Sequence, residues 1–304
     1  MRYLGSTALT AATLVLLIAT DHPVREAAAA TGPVRTVQLA ASATAVPRAP
    51  LPPPTVLPDP ARRRDAPPGR TFTGAGFDTC TAPPLGTMKA WRGSSPYGAV
   101  GIYSSGSRRA CDQPRLTAEW VRQVRAMGWQ LLPTHVGLQA PCRATKEKTG
   151  RIDPARAVDQ GRSEAAEAVR GLRALGLGRG SAVYLDIEYY PGGDAGCAKA
   201  VVDFTLGWTQ ALHGAGYRAG FYAGADSGIR DLDAAARAGA APMPDAVWYA
   251  RWDDRAAVDG SGYLHPDLWV RHQRVHQHHG DVEETYGGAT LTIDRDQLDA
   301  PVAL

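Results

Sequence analysis

Ser181-Ala182-Val183-Tyr184-Leu185-Asp186-Ile187-Glu188-Tyr189-Tyr190 is a short apolar run, rich in β-branched and aromatic residues, that ends in two carboxylates. Its length and composition read as a strand. Side chains alternate faces along a strand, so Asp186 and Glu188 share one face, with Cα atoms roughly 6–7 Å apart. One D-x-E alone is a weak signal, usually a pair of solvated acids. Its weight depends on what the flanking segments build.

Outward from this run the chain alternates between strand-like and helix-like segments. Thr73–Cys80 reads as a first strand and Pro84–Gly93 as a short helix. Ala99–Tyr103 is the second strand and Leu116–Met127 an amphipathic helix with Thr117 as N-cap. Trp129–Val136 is the third strand, followed by a helix over Asp153–Leu175, capped by Asp153-Pro154 and stopped by Gly176. After the Asp186/Glu188 strand come a helix over Cys197–His213, a strand over Arg218–Tyr222 and a helix over Ser227–Ala238. Then the helices stop. Val247–Trp252, Val270–His278 and Thr290–Asp294 read as three closing strands, with a turn at Gly280. Five β-α units followed by three strands imply an α/β fold of the TIM-like barrel type. In such a barrel the site lies where the strands end, and Asp78, Asp186, Glu188 and Asp294 all fall at expected C-terminal strand ends. Glycoside hydrolysis needs a pair of carboxylates, and four acids converging on one mouth are far less expected by accident than one D-x-E.

Composition narrows the class. The chain has 304 residues, 44% hydrophobic and 21% charged, ordinary for a globular protein. Its net charge of +3 is uneven: residues 1–30 sum to zero, and residues 31–70 carry six arginines against two aspartates. The remaining 234 residues therefore carry about −1, which gives no argument for nucleic acid. Residues 1–30 contain Arg2 and an apolar run from Leu9 to Ala19, too short for a bilayer and suited to a secretory signal peptide, with Ala27–Ala30 near the cleavage point. No stable membrane span is expected once it is removed. Residues 31–70 hold ten of the 23 prolines and read as a disordered Pro/Ala/Arg-rich linker, including Arg62-Arg63-Arg64. The barrel domain is expected over residues 71–304.

Four cysteines in a secreted chain suggest two disulfides. Three pairings are possible. Each cysteine falls in a loop after one of the first four strands, and the proximity of adjacent loops favours Cys80 with Cys111 and Cys142 with Cys197. Spacings of 31, 31 and 55 residues, without C-x-x-C, argue against a structural zinc site. His272, His276, His278 and His279 lie near Asp281, Glu283 and Glu284, a set that could ligate a metal, but their alternation on a strand fits surface or cleft polar residues better. No metal or other cofactor is expected.

Several of these stretches together resemble a known family. Gly76-Phe77-Asp78-Thr79-Cys80, Met88-Lys89-Ala90-Trp91, Val100-Gly101-Ile102-Tyr103, Gly128-Trp129, Val136-Gly137-Leu138-Gln139 and Tyr184–Glu188 resemble the secreted bacterial glycoside hydrolase-like domain, long classed as a domain of unknown function. The likeness runs from about Thr71 to Leu304. That family is distantly similar to the family 25 glycoside hydrolases, the Chalaropsis-type muramidases, with five β-α units and three closing strands. The resemblance implies Glu188 as general acid, with neighbouring carboxylates favouring its protonated form. It implies Asp186 as stabiliser of positive charge at the sugar carbon, or as the group orienting an N-acetyl substituent. Asp78 and Asp294 would tune protonation or position water. Tyr190, Tyr249, Arg251, Trp252 and His135 would contact substrate; Tyr189, Tyr222 and Trp248 are further candidates for stacking, the last two equally suited to filling the barrel. Two departures stand out: Thr79-Cys80 replaces the muramidases' Val-Ser after the first Asp, and the two disulfides are not general among muramidases. The implied function is a secreted, monomeric hydrolase of a polysaccharide or peptidoglycan-like glycan, extracellular or associated with the cell wall. The alternative is a non-catalytic glycan-binding envelope protein on an inherited barrel, favoured if Arg251 or Arg271 ties up the acids.

Overall fold

The computed structural model of the protein describes residues 69–144 and 150–304. The expected signal peptide and nearly all of the expected linker lie outside the described residues. Eight strands close a barrel in sequence order. They are β1 (Arg70–Asp78), β2 (Ala99–Ser105), β3 (Gln130–His135), β4 (Ala182–Asp186), β5 (Arg218–Gly224), β6 (Ala246–Ala250), β7 (Arg274–Tyr286) and β8 (Ala289–Val302). Helices α1 (Leu85–Ser94), α2 (Ala118–Ala126), α3 (Ala157–Ala174), α4 (Ala195–Ala215) and α5 (Arg230–Arg237) follow β1 to β5, the last through a π-helical turn at Ala225–Ile229. The chain is thus a TIM-like barrel of five β-α units and three strands. Thr117 caps α2 through the Trp120 amide, and Gly216 ends α4 in the left-handed conformation. Among the described residues no helix is long and apolar enough to cross a membrane.

Several boundaries differ from expectation. The long third helix starts at Ala157, because Asp153 caps a preceding turn through the Ala155 amide. The expected strand from Val270 begins only at Arg274, since Trp269, Arg271 and His272 have positive φ and cannot lie in a ladder. Gly280 makes no turn: β7 continues through bulges to Tyr286, and Gly287-Gly288 form the hairpin. β8 is 14 residues long and runs antiparallel to both neighbours. Asp294 is therefore in mid-strand, and the upper β7–β8 hairpin stands above the barrel.

Two cores separate by strand parity. Outward side chains pack under the helices, where Phe77, Trp91 and Trp129 form an aromatic cluster with ring centroids 5.0 and 5.7 Å from Phe77. Burying Phe77 alone contributes roughly 1.5–3 kcal/mol. Inward side chains, among them Leu132, Tyr184, Trp248, Val275 and Leu298, fill the barrel. Cys80–Cys111 and Cys142–Cys197 are the disulfides; each joins neighbouring segments around the mouth and restricts the unfolded chain by about 4 kcal/mol.

The barrel interior is tight enough to test. A methyl group on Gly220 would lie 2.2 Å from the Tyr184 ring. Gly220→Ala is expected to cost roughly 1–3 kcal/mol through overpacking, read as a lower midpoint in denaturant unfolding; an unchanged midpoint would mean that the Tyr184 ring moves freely.

Candidate active site

The register of barrel closure builds the site. Asp78 pairs with Asp294 across the β1–β8 ladder. Both side chains are bridged by Gln277 of β7, whose Nε2 donates to Asp78 Oδ2 at 2.9 Å and to Asp294 Oδ2 at 3.2 Å. Gln277 Oε1 accepts from the Tyr222 hydroxyl at 3.1 Å and Trp252 Nε1 at 3.2 Å. An indole N–H can only donate, so the amide orientation is determined, and both hydrogens go to the acids. Tyr103 donates to Asp78 Oδ1 at 3.1 Å, and the Asp281 amide to Asp294 Oδ1 at 2.7 Å.

Asp186 ends β4, 2% exposed. Glu188 lies two residues beyond the strand, with a side chain 29% exposed. Gln139 pins this extension: its Nε2 donates to the Asp186 carbonyl and its Oε1 accepts from the Glu188 amide, both at 2.9 Å. Asp78, Asp186, Glu188 and Asp294 all act electrostatically on the Tyr222 hydroxyl, raising its pKa after burial has done so first. The four sequence-predicted acids therefore share one mouth. A cavity of about 10 Å³ at its floor, lined by Asp78, Tyr103, Thr134, Asp186, Tyr222 and Trp248, has room for about one water.

Burial sets the protonation pattern. Desolvation, then the charge of Asp294, pushes Asp78 up to about 8 despite the Gln277 and Tyr103 hydrogen bonds. Desolvation also raises Asp294. Among the described residues neither forms an ion pair with a basic side chain, so neutral donors hold them and burial shifts both toward the neutral form.

The predicted contact residues divide. Trp252, 57% exposed, sits at the mouth over Gly280, where a methyl group would strike its ring. Tyr189, 55% exposed, follows Glu188 directly. Arg251 is exposed and lies over the Tyr263 ring. Three others do not reach the mouth. His135 points into the helix layer, against Glu164, Ser105 and Trp208, because Thr134, one residue earlier, takes the inward face. Tyr190 is buried and donates to Asp231. Tyr249 is buried beneath the loop after β6, with its hydroxyl on the Ala257 carbonyl. Tyr222 and Trp248 both enter the barrel. The histidines are dispersed: His272 meets Asp299, His276 the Ala257 and Arg251 carbonyls, His279 Asp254. The described residues contain no group of three side chains suited to hold a metal. Among the described residues a cation stands beside Glu188 in Arg143, at 4.0 Å, rather than in Arg251; Arg271 lies apart, at a surface pocket with Trp269 and Asp299. Gln277 and Gln139 are the site residues that sequence reasoning missed. Gln139 falls within the quoted Val136–Gln139 stretch, but an amide carries no mark of its partners.

A family model described as Rv2525c-like, glycoside hydrolase-like domain, matches residues 89–298. No curated protein matches the chain. Among solved structures, an uncharacterized B. stearothermophilus protein is 18% identical, covering 74% of this chain and 95% of that one with a TM-score of 0.47. The catalytic domain of endolysin ply40 from bacteriophage P40 of Listeria monocytogenes is 18% identical, with coverages of 76% and 95% and a TM-score of 0.45. A muramidase from Acremonium alcalophilum is 17% identical, with coverages of 74% and 92% and a TM-score of 0.44.

Removing the bridge should disturb both acids. Gln277→Leu strips a donor from Asp78 and Asp294 and an acceptor from Tyr222 and Trp252, so a loss of about 1–3 kcal/mol is expected in chemical denaturation. The Asp78 titration, followed by carboxyl-carbon NMR, should move further upward; no movement would remove Gln277 from control of the acid. Asp78 itself gives a pH signature. Its folded value lies above the roughly 3.9 of an unfolded aspartate, so its stabilisation is complete below about pH 4 and is lost as pH rises through about 8. Asp78→Asn should flatten that loss in thermal scans across the same range.

Proposed function

The chain belongs to the family of Rv2525c-like, glycoside hydrolase-like domains, and from that premise we propose that it is a secreted glycoside hydrolase acting on a cell-envelope or extracellular glycan. One observation carries the reading: four carboxyls, Asp78 and Asp186 buried and Asp294 and Glu188 partly exposed, meet around Tyr222 at the barrel mouth. Hydrolysis of a glycosidic bond needs an acid that can reach the leaving oxygen and a carboxylate facing the sugar carbon. Glu188, at the rim, is the general acid. Asp186, one step deeper on the same side, stabilises positive charge at the sugar carbon or orients an N-acetyl group. Asp78 and Asp294, linked by Gln277, hold protons and position water over the small cavity. Trp252 and Tyr189, exposed beside the acids, supply faces for sugar rings.

Secretion is supported by the N-terminal apolar run and by two disulfides, which persist in oxidising compartments. We take residues 1–30 as the signal, the segment from residue 31 up to β1 as a linker and the barrel, which opens at Arg70, as the acting domain. The second reading, a glycan-binding protein on an inherited barrel, draws on Arg143, whose guanidinium stands 4.0 Å from the Glu188 carboxylate and pairs with it.

The test counts new reducing ends released from purified bacterial cell wall and a glycan panel. Glu188→Gln should lower release by about 10²–10⁴-fold, the usual contribution of a positioned acid. Equal release by parent and variant removes Glu188 from the chemistry. Sedimentation with the wall by both proteins, with no release by either, selects the binding reading.

A further inference from the structure

β4 loses its β3 neighbour before the chain reaches Glu188. The ladder between the two strands pairs Thr134 with Tyr184 and His135 with Leu185. Carried on in register it would set Gly137 opposite Ile187, but β3 ends at His135. On the other side of β4 the pattern persists, since the Ile187 amide donates to the Tyr222 carbonyl at 2.9 Å. Ile187 thus turns its backbone polar groups toward β5, and residues 186 and 188 turn theirs toward β3. The Asp186 carbonyl and the Glu188 amide are therefore the two groups that a parallel neighbour opposite Ile187 would satisfy.

Gln139 satisfies both from one side chain. Its Nε2 donates to the Asp186 carbonyl and its Oε1 accepts from the Glu188 amide, each at 2.9 Å. A residue in a parallel ladder gives its N–H to the residue before its partner and takes an N–H from the residue after. The Gln139 amide reproduces that pair of bonds. Nε2 also donates at 3.3 Å to the carbonyl of Gly137, the residue whose place it takes. A backbone carbonyl only accepts and a backbone N–H only donates, so the amide orientation is determined. Gln139 is fully buried. Its own backbone is fixed by the 150–152 segment, donating to the Gly150 carbonyl and accepting from the Ile152 amide. Ile187 then packs into the helix layer, and Glu188 keeps the face of Asp186.

We propose that Gln139 is the positioning residue for Glu188: its side-chain amide replaces the missing strand and carries the β4 ladder one step past its end, which aims the Glu188 carboxyl at the mouth. Neither bond reaches the carboxyl itself, so Gln139 acts only through the backbone that bears it. The task needs a donor and an acceptor in one planar group, which an amide has and a carboxylate or an apolar side chain lacks. The proposal deepens the hydrolase reading and rests on it for what the aimed carboxyl does beside substrate.

Methionine keeps the length of the side chain and removes both hydrogen bonds. The full chain and Gln139→Met are compared first by amide hydrogen exchange read residue by residue. In the parent the Glu188 amide should be protected like the strand amides of Val183 and Leu185; a parent in which it exchanges freely overturns the proposal. In Gln139→Met its protection should fall by at least about tenfold while Val183 and Leu185 keep theirs. A variant that loses protection throughout β4, or that fails to fold, also overturns it, because Gln139 would then serve the barrel rather than Glu188. The second readout is release of reducing ends from cell wall. Displacing a reacting group by about 1 Å costs on the order of 10²-fold, so kcat should fall by about that factor with KM nearly unchanged, since Trp252 still offers its ring. An unchanged kcat in a variant with a freely exchanging Glu188 amide overturns the positioning role. A parent that releases nothing, with the exchange pattern as expected, defeats the hydrolase reading and leaves Gln139 as the support of Glu188.

Discussion

Closure of the barrel by one antiparallel strand is the constraint on which the site depends. β8 runs against β1, and the register opposes Asp78 to Asp294 and Gly76 to Asp296. A slip of one residue would turn the β8 acids outward and bring Ile293 and Arg295 into the interior. Asp294 and Asp296 are therefore placed by backbone pairing along nine residues of β1, and among the described residues neither forms an ion pair with a basic side chain. Gln277 completes the arrangement with an amide that meets two carboxyls on one side and two donors on the other. The result is a set of acids made costly by burial and held by neutral groups. Burial shifts Asp78, Asp294 and Asp296 toward the neutral form relative to exposed carboxyls.

The same closure divides the aromatic residues by task. Phe77, Trp91 and Trp129 face the helices and carry packing. Tyr103, Tyr222 and Trp248 face inward and each gives a hydrogen bond to the buried polar cluster. Trp252 reaches the same cluster through its indole nitrogen while most of its ring remains in solvent. A ligand resting on that ring would be two hydrogen bonds from Asp78 and Asp294, through the Gln277 amide. The exposed aromatic surface and the buried acids are thus parts of one network.

Much of this was legible in residue order. Strand-helix alternation gave five β-α units, and the acids after strand-like runs gave Asp78, Asp186 and Glu188 their places at the mouth. The failures have specific causes. His135 was misplaced by one step of strand parity, since Thr134 already faces inward. Tyr190 follows a strand that ends at Asp186, where alternation ceases to predict direction. β8 was read five residues long because its inward positions include Asp294 and Asp296, and polar residues on the core face erase the alternation that marks a strand. Local rules broke down where the site is built. Gln277 was invisible for another reason: its importance lies in four partners brought from β1, β5, β8 and the segment after β6.

Barrel closure removes strand edges, but the upper hairpin escapes it. Beyond the Asp78–Asp294 pair, β8 no longer meets β1, and residues 282–286 pair only with residues 289–293. The outer edges of a two-stranded ribbon are the usual template for pairing with another chain, and here Thr79 also donates to the Thr292 carbonyl. Its tip is tied back to α1, where Trp91 Nε1 donates to the Ala289 carbonyl at 2.8 Å. Exposed Asp281 and Glu283 and the paired Gly287-Gly288 further discourage a foreign strand from adding in register. The hairpin that supplies Asp294 to the mouth thus carries its own protection against self-association, and α1 serves as a guard for a sheet edge as well as a layer of the barrel.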